Sequence, residues 1–137
     1  SGEGGRRAIQ ASLEAAGVEP REVDYVNAHA TSTQVGDVVE ARILAEVFGQ
    51  GPRAPWVSST KSTTGHEGAA AGSNELVYTL LMLEHGFAAP SINIEELDPE
   101  CAGIRIARET VEGPLATAAS TSFGFGGVNT CLVVRRP

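Results

Sequence analysis

The spacing of apolar residues along the chain alternates between two periods, one typical of helices and one typical of strands. Apolar residues recur every three or four positions in three segments, which predicts helices over residues 6–16, 37–48 and 73–84. Short apolar or alternating runs predict strands over residues 23–28, 55–59, 104–107, 116–122 and 128–134, and an extended segment over residues 89–94. This order predicts one α/β domain covering residues 1–137, with an antiparallel hairpin formed by its last two strands.

Side chains with catalytic potential follow the first two predicted strands. His29 comes directly after the strand at 23–28, and Lys61 and His66 lie in the loop between the strand at 55–59 and the next helix. Two successive β-loop-α units imply neighbouring strands whose loops open on the same edge of a sheet. The sequence therefore predicts that His29 and His66 lie close together in space.

Composition narrows the class of protein. A hydrophobic content of 42% and a charged content of 20% are typical of a globular domain rather than a disordered one. The net charge of −7 argues against nucleic-acid binding, and no apolar run is long enough for a membrane span. Cys101 and Cys131 have no metal-ligand or redox spacing, so we expect a reduced, cytoplasmic protein. Because the chain begins at Ser1 without an initiator methionine, we expect it to be part of something longer.

The two histidines are compatible with three kinds of chemistry. As metal ligands they need further ligands, and Asp37 and Glu40 are within reach in principle, although helix capping also explains these two acids. As general bases they need a nucleophile, and the sequence contains no G-x-S-x-G motif or activated cysteine. As neutral donors they need only direct two N–H groups at one carbonyl oxygen. We expect Lys61 to form an ion pair with Glu40 that fixes the loop.

Four motifs, in a fixed order and spacing, carry a family resemblance. They are N-A-H-A-T-S-T at 27–33, G-D-V-V-E-A at 36–41, K-S-T-T-G-H at 61–66 and S-F-G-F-G-G-V-N at 122–129. Together they resemble the β-ketoacyl-acyl carrier protein synthases, and the resemblance covers essentially the whole chain. The segment at 81–93 is similar to the bacterial fatty-acid elongating type. Polyketide synthase ketosynthases, the alternative within the family, share the histidine motifs but usually carry proline after the Gly-Asp.

The resemblance implies a thiolase-like fold, a five-layer αβαβα sandwich with a mixed sheet, of which this chain would be the C-terminal half. His29 and His66 would be the two catalytic histidines of a decarboxylative Claisen condensation, and Lys61 would be the family's lysine, paired with Glu40. The nucleophilic cysteine would lie in the N-terminal half of the same synthase. No cofactor would be bound permanently, because the substrates arrive on the phosphopantetheine of acyl carrier protein. The complete enzyme would be a homodimer.

The resemblance also implies roles in substrate binding. Thr31 and Thr33 would hydrogen-bond the phosphopantetheine arm. Phe125 would be the gate between the acyl pocket and the carbonyl site, in a substrate-binding loop that it shares with Phe123 and Gly126. Some family members hold a buried monovalent cation, and the matching positions here are Asn27, Glu75, Ser120 and Thr121.

The chain departs from the family pattern at several positions. Residues 67–69 read E-G-A, where a small or apolar pair followed by glycine is usual, and Thr121 stands where asparagine is common. Neither cysteine has the context of the nucleophile, so we expect the chain alone to be inactive. Two alternatives from other classes remain open: a non-catalytic partner subunit similar to a chain-length factor, and a metal hydrolase that uses His29 and His66.

Overall fold

A five-stranded mixed sheet organises the chain, and a computed structural model describes all of residues 1–137. The helices are α1 (Glu3–Ala16), α2 (Gly36–Phe48), the single turn α3 (Lys61–Thr64) and α4 (Ala71–His85). The strands are β1 (Tyr25–Asn27), β2 (Trp56–Ser58), β3 (Phe87–Ala88), β4 (Arg105–Ile106), β5 (Val111–Glu112), β6 (Thr117–Phe123) and β7 (Asn129–Arg135).

Strand β1 lies at the centre of the sheet, whose order is β4-β2-β1-β6-β7. Val26 is level with Val57 of β2 on one side and with Ala119 of β6 on the other, and both pairings are parallel. Only β7 runs antiparallel to its neighbour, through the predicted hairpin with β6. The mixed sheet expected from the sequence is therefore confirmed, while β3 and β5 form a separate two-stranded ribbon.

Successive side chains of a strand point to opposite faces of the sheet, so each face needs its own cover. Helices provide it on both faces. On one face Val26, Val57 and Ala119 pack with residues of α1 and α2, in the larger of two main apolar cores. On the other face Tyr25 and Ala118 pack with Met82 and Leu83 of α4. The apolar side chains Val77, Leu80 and Leu81 of α4 remain about half exposed.

Several predicted boundaries are wrong for identifiable reasons. Helix α1 begins at Glu3 instead of residue 6, and it includes two glycines at positions where the helix packs closely against the hairpin. A Cβ atom at Gly5 would lie 3.0 Å from the ring of Phe123, so glycine here serves close packing rather than a loop. Residues 61–64 form the helical turn α3 instead of a loop. The predicted extended segment at 89–94 contains no strand, and the two short strands β3 and β5 were not predicted.

The expected N-cap of α2 is also wrong. The helix begins at Gly36, one residue before Asp37. The Asp37 carboxylate instead accepts a hydrogen bond from the backbone N–H of Thr33, at 3.1 Å, and so stabilises the loop between β1 and α2. No helix of the chain combines the length and the apolar character needed to cross a lipid bilayer.

Candidate active site

The carboxyl ends of β1 and β2 bring the two predicted histidines together. The ring centroids of His29 and His66 lie 5.7 Å apart, with the rings perpendicular. The ring of Phe123, at the end of β6, lies 6.1 Å from that of His29. Since β1 and β2 are adjacent and parallel, the predicted proximity of the two histidines is confirmed.

Glu40 fixes the backbone at His29 from the second turn of α2. Its buried carboxylate accepts hydrogen bonds from the backbone N–H groups of His29 and Ala30, at 3.0 and 2.7 Å, and from the hydroxyl of Thr121, at 2.7 Å. The His29 N–H is also 3.1 Å from the Thr121 hydroxyl oxygen. The end of β1 is therefore tied to both α2 and β6, which fixes the backbone that carries the imidazole.

The surroundings of His29 favour its uncharged form. Partial burial, then the positive charge of Lys61, and then His66, lower the pKa of His29 from 6.5 to about 4. Burial raises the pKa of Glu40, and its hydrogen bonds to Thr121, Ala30 and His29 oppose that rise. At neutral pH His29 is thus an uncharged imidazole that can donate one N–H.

Lys61 does not pair with Glu40, which corrects the expected ion pair. Its ammonium group forms a buried ion pair with Glu75, in the second turn of α4. Burial raises the pKa of Glu75, and the hydrogen bond and charge of Lys61 oppose that rise. Glu40 is instead occupied by two backbone donors and a hydroxyl, so Lys61 connects α3 to α4 rather than to α2.

His66 is exposed and is oriented by the turn that follows it. The N–H of Gly68 donates to Nδ1 of His66 at 3.1 Å. Nδ1 therefore carries the lone pair, and the ring proton of the neutral imidazole resides on Nε2. The backbone of Gly68 has a φ of +61°, a left-handed conformation that glycine adopts without strain.

Together the two imidazoles place ring N–H donors in front of one sheet edge, with His29 in its uncharged form. Such donors stabilise negative charge that develops on a carbonyl oxygen. No group of three or more His, Cys, Asp and Glu side chains is arranged to hold a metal ion. The geometry thus fits the third of the chemical options, paired donors to an oxyanion.

The residues expected to bind substrate lie in two loops, one after β1 and one between β6 and β7. Thr31 and Thr33 lie in the loop after β1, where the Thr33 hydroxyl accepts a hydrogen bond from Gly36 N–H at 3.2 Å. Phe125 is fully exposed at the tip of the hairpin between β6 and β7, next to Gly126, whose φ is +84°. Phe125 thus lies away from the core, whereas Phe123 faces His29.

The four positions expected to bind a monovalent cation are all buried: Asn27, Glu75, Ser120 and Thr121. The side chain of Asn27 is hydrogen-bonded to Thr60 and Thr79, and that of Thr121 to Glu40. Glu75 Oε2 is the one buried side-chain polar atom without a hydrogen-bond partner. That free carboxylate oxygen lies on the residue that pairs with Lys61, and a monovalent cation at these four positions stays a prediction.

Two contributors to the site were missed in the sequence. Thr121 was considered only as a cation ligand, yet it bridges Glu40 and His29. Gly68 was noted only as a departure from a family pattern, yet its N–H sets the tautomer of His66. The glycine two residues after His66 was the available signal, because glycine often marks a left-handed turn.

Comparisons with known proteins identify the family of this chain. Residues 1–95 match the family model for the β-ketoacyl synthase C-terminal domain. The chain is 52% identical over 136 residues to 3-oxoacyl-[acyl-carrier-protein] synthase 1 of Escherichia coli, an alignment that covers 99% of this chain and 32% of that protein. The chain thus spans about a third of the length of this relative.

Solved structures give the same result. A β-ketoacyl synthase from Burkholderia phymatum superimposes with a TM-score of 0.89 and 39% identity, over 96% of this chain and 32% of that one. A type II polyketide ketosynthase, solved in complex with its acyl carrier protein, superimposes with a TM-score of 0.90 and 32% identity, over 100% of this chain and 34% of that one. The expected thiolase-like fold is confirmed, and the chain belongs to the β-ketoacyl synthase family as its C-terminal domain.

Proposed function

We propose that the complete protein is a 3-oxoacyl-acyl carrier protein synthase of fatty-acid elongation and that this chain supplies its two catalytic histidines. The proposal depends mainly on the two imidazoles, whose ring centroids lie 5.7 Å apart. Burial favours the uncharged form of His29, and the hydrogen bond from Gly68 to Nδ1 of His66 leaves Nε2 as the donor. The identity of 52% to a bacterial synthase 1 supports the fatty-acid pathway over a polyketide one.

The proposed reaction uses His29 and His66 as donors to the thioester carbonyl oxygen of a malonyl group. The bond between the malonyl carboxylate and Cα breaks, carbon dioxide leaves, and the electron pair of that bond forms an enolate. Negative charge grows on the oxygen that accepts both N–H groups, so these hydrogen bonds strengthen along the reaction. The enolate carbon then attacks an acyl thioester and expels its thiolate, which completes the condensation.

The nucleophile that carries the acyl group is proposed to lie in the N-terminal part of the complete protein. Neither cysteine of this chain suits the role, because both are buried. Burial raises the pKa of Cys131 to about 11, and burial together with Asp98 raises the pKa of Cys101. The half-exposed apolar side chains of α4 offer a surface on which that part would pack.

An acyl carrier protein is the proposed partner, as in the structurally similar ketosynthase solved with its carrier. Thr31 and Thr33 are proposed to hydrogen-bond the phosphopantetheine arm at the edge of the sheet. Phe125 is proposed to act as the gate, since it is exposed on a hairpin loop with several glycines and can swing without displacing core side chains.

The test is malonyl decarboxylation by the complete synthase that contains this segment. We expect His29→Ala and His66→Ala each to lower the rate by about 10²- to 10³-fold, because each removes one oxyanion donor. His85→Ala is the matched control, since His85 is exposed at the end of α4 and should leave the rate unchanged. Full activity in either active-site variant would overturn the proposal, as would one zinc ion per chain bound through both histidines.

A further inference from the structure

The turn that orients His66 continues into a side-chain contact that the proposed mechanism does not use. Gly68 N–H, which donates to His66 Nδ1, belongs to the peptide that joins Glu67 to Gly68. The direction of that N–H follows the backbone conformation at Glu67, where φ is −81° and ψ is 20°. Whatever holds Glu67 in place therefore also holds the donor that fixes the ring of His66.

Glu67 is held by Tyr78. The Tyr78 hydroxyl donates to Glu67 Oε1 at 3.0 Å across the start of α4. In addition, the carbonyl of Glu67 accepts a hydrogen bond from Ala70 N–H at 3.2 Å. The turn is thus held by one hydrogen bond within its own backbone and by one side-chain hydrogen bond to α4.

Tyr78 is a firm anchor for this contact. Its ring is half-buried and packs against the apolar core formed by Tyr25, Met82 and Leu83, so the position of its hydroxyl is set by α4 and the sheet. The hydrogen bond to Glu67 raises the pKa of Tyr78, which keeps the phenol protonated as the donor. The chain reads E-G-A after His66, so the acceptor belongs to a stretch in which this sequence departs from the usual pattern.

We propose that Tyr78, acting through Glu67, is a positioning residue for His66. The contact holds the peptide between Glu67 and Gly68 in the orientation that keeps the His66 proton on Nε2, directed at the substrate oxygen. The inference rests on the proposed function, in which that N–H stabilises the enolate. Tyr78 itself does not touch the reacting atoms.

The experiment uses the complete synthase and measures two half-reactions, malonyl decarboxylation and acyl transfer to the nucleophile. We expect Tyr78→Phe and Glu67→Ala each to lower the kcat of decarboxylation by about 3- to 10-fold, the effect of losing one modest hydrogen bond. Acyl transfer should be unchanged, since it does not need the enolate. Glu67→Gln should retain most of the rate because its amide oxygen can still accept from Tyr78. Combining Tyr78→Phe with Glu67→Ala should add no further loss.

A matched control removes a tyrosine hydroxyl elsewhere in the same core. Tyr25→Phe deletes the buried hydrogen bond to Ser58, of 2.7 Å, and should lower Tm without changing the kcat of decarboxylation. ¹⁵N NMR of His66 provides a direct readout: wild type should show an unprotonated Nδ1, and Tyr78→Phe should show a mixture of the two tautomers.

The outcomes separate the two hypotheses. A wild-type decarboxylation rate and an unchanged His66 spectrum in Tyr78→Phe would overturn the positioning role while leaving the proposed function intact. Equal losses in both half-reactions would also overturn it, because they would indicate a general structural defect. Absence of decarboxylation in the wild-type synthase, in contrast, would refute the proposed function itself.

Discussion

The two imidazoles of the site are held in different ways. His29 is half-buried, and its backbone is hydrogen-bonded by Glu40 of α2 and Thr121 of β6, residues that are distant in the sequence. His66 is exposed, and its ring is hydrogen-bonded by Gly68, two residues further along. His29 is thus held at its backbone by two residues distant in the sequence, and His66 is held at its ring by a short turn that Tyr78 of α4 anchors through Glu67. Changes at Glu40 or Thr121 should therefore act mainly on His29, and changes at Glu67, Gly68 or Tyr78 should act mainly on His66.

The largest expected loss of stability comes from breaking the buried ion pair between Lys61 and Glu75. Lys61→Met leaves the Glu75 carboxylate buried without its partner, and this should lower the free energy of unfolding by about 3–5 kcal/mol. Adding Glu75→Gln removes the unpaired charge and should recover most of the loss. Urea denaturation of the complete protein measures both variants. A double variant no more stable than Lys61→Met would show that the pair is not the source of the effect.

A smaller loss is expected at the His29 side. Glu40→Ala leaves two backbone N–H groups and the Thr121 hydroxyl without their acceptor, which should cost about 2–4 kcal/mol of unfolding free energy. Glu46→Ala is the control, because Glu46 is exposed on the same helix. The NMR signals of the His29 ring should shift in Glu40→Ala while those of His66 stay in place. A shift of both rings would contradict the separation of the two supports.

The last prediction concerns pH. The pKa of His29 is lowered from 6.5 to about 4, so the folded protein keeps this ring neutral while an unfolded chain would bind a proton. As pH falls from 6.5 towards 4, stability should therefore decrease, and His29 should not limit decarboxylation until the pH nears 4.

The variant that carries both Lys61→Met and Glu75→Gln sharpens this test. It removes the charge of Lys61, the second cause of the shift after burial, so the pKa of His29 should rise by less than half of the original shift. An NMR titration of His29 measures the change. A pKa near 6.5 for His29 in the wild type would show that burial and the charge of Lys61 do not lower it.

Sequence alone predicted the elements that define the site edge. His29 and His66 could be placed together because two successive β-loop-α units force parallel neighbours, whatever the details of the loops. The hairpin between β6 and β7 was equally predictable, since two alternating runs flank a glycine-rich loop. These features depend on local periodicity and chain connectivity.

The partner of Lys61 could not be predicted in the same way. Glu40 and Glu75 both lie on helices that follow the two site strands, so spacing alone does not distinguish between them. The rotation of each helix about its axis decides which carboxylate faces the lysine, and that rotation is set by packing against the sheet. Strands β3 and β5 were missed because each has only two residues, too few for a recognisable pattern.

The central position of β1 also sets the order in which the molecule can be completed during synthesis. Asp24, just before β1, accepts hydrogen bonds from the N–H groups of Ala116 and Thr117, more than ninety residues later. At ribosomal rates of roughly 5–20 residues per second, about 5 to 20 seconds pass before β6 emerges to pair with β1. Through that interval one edge of the most buried strand is unpaired, and Glu40 lacks Thr121. The nascent chain thus carries an open strand edge during that interval, and Glu40 can complete its contacts at the first histidine only after β6 has been translated.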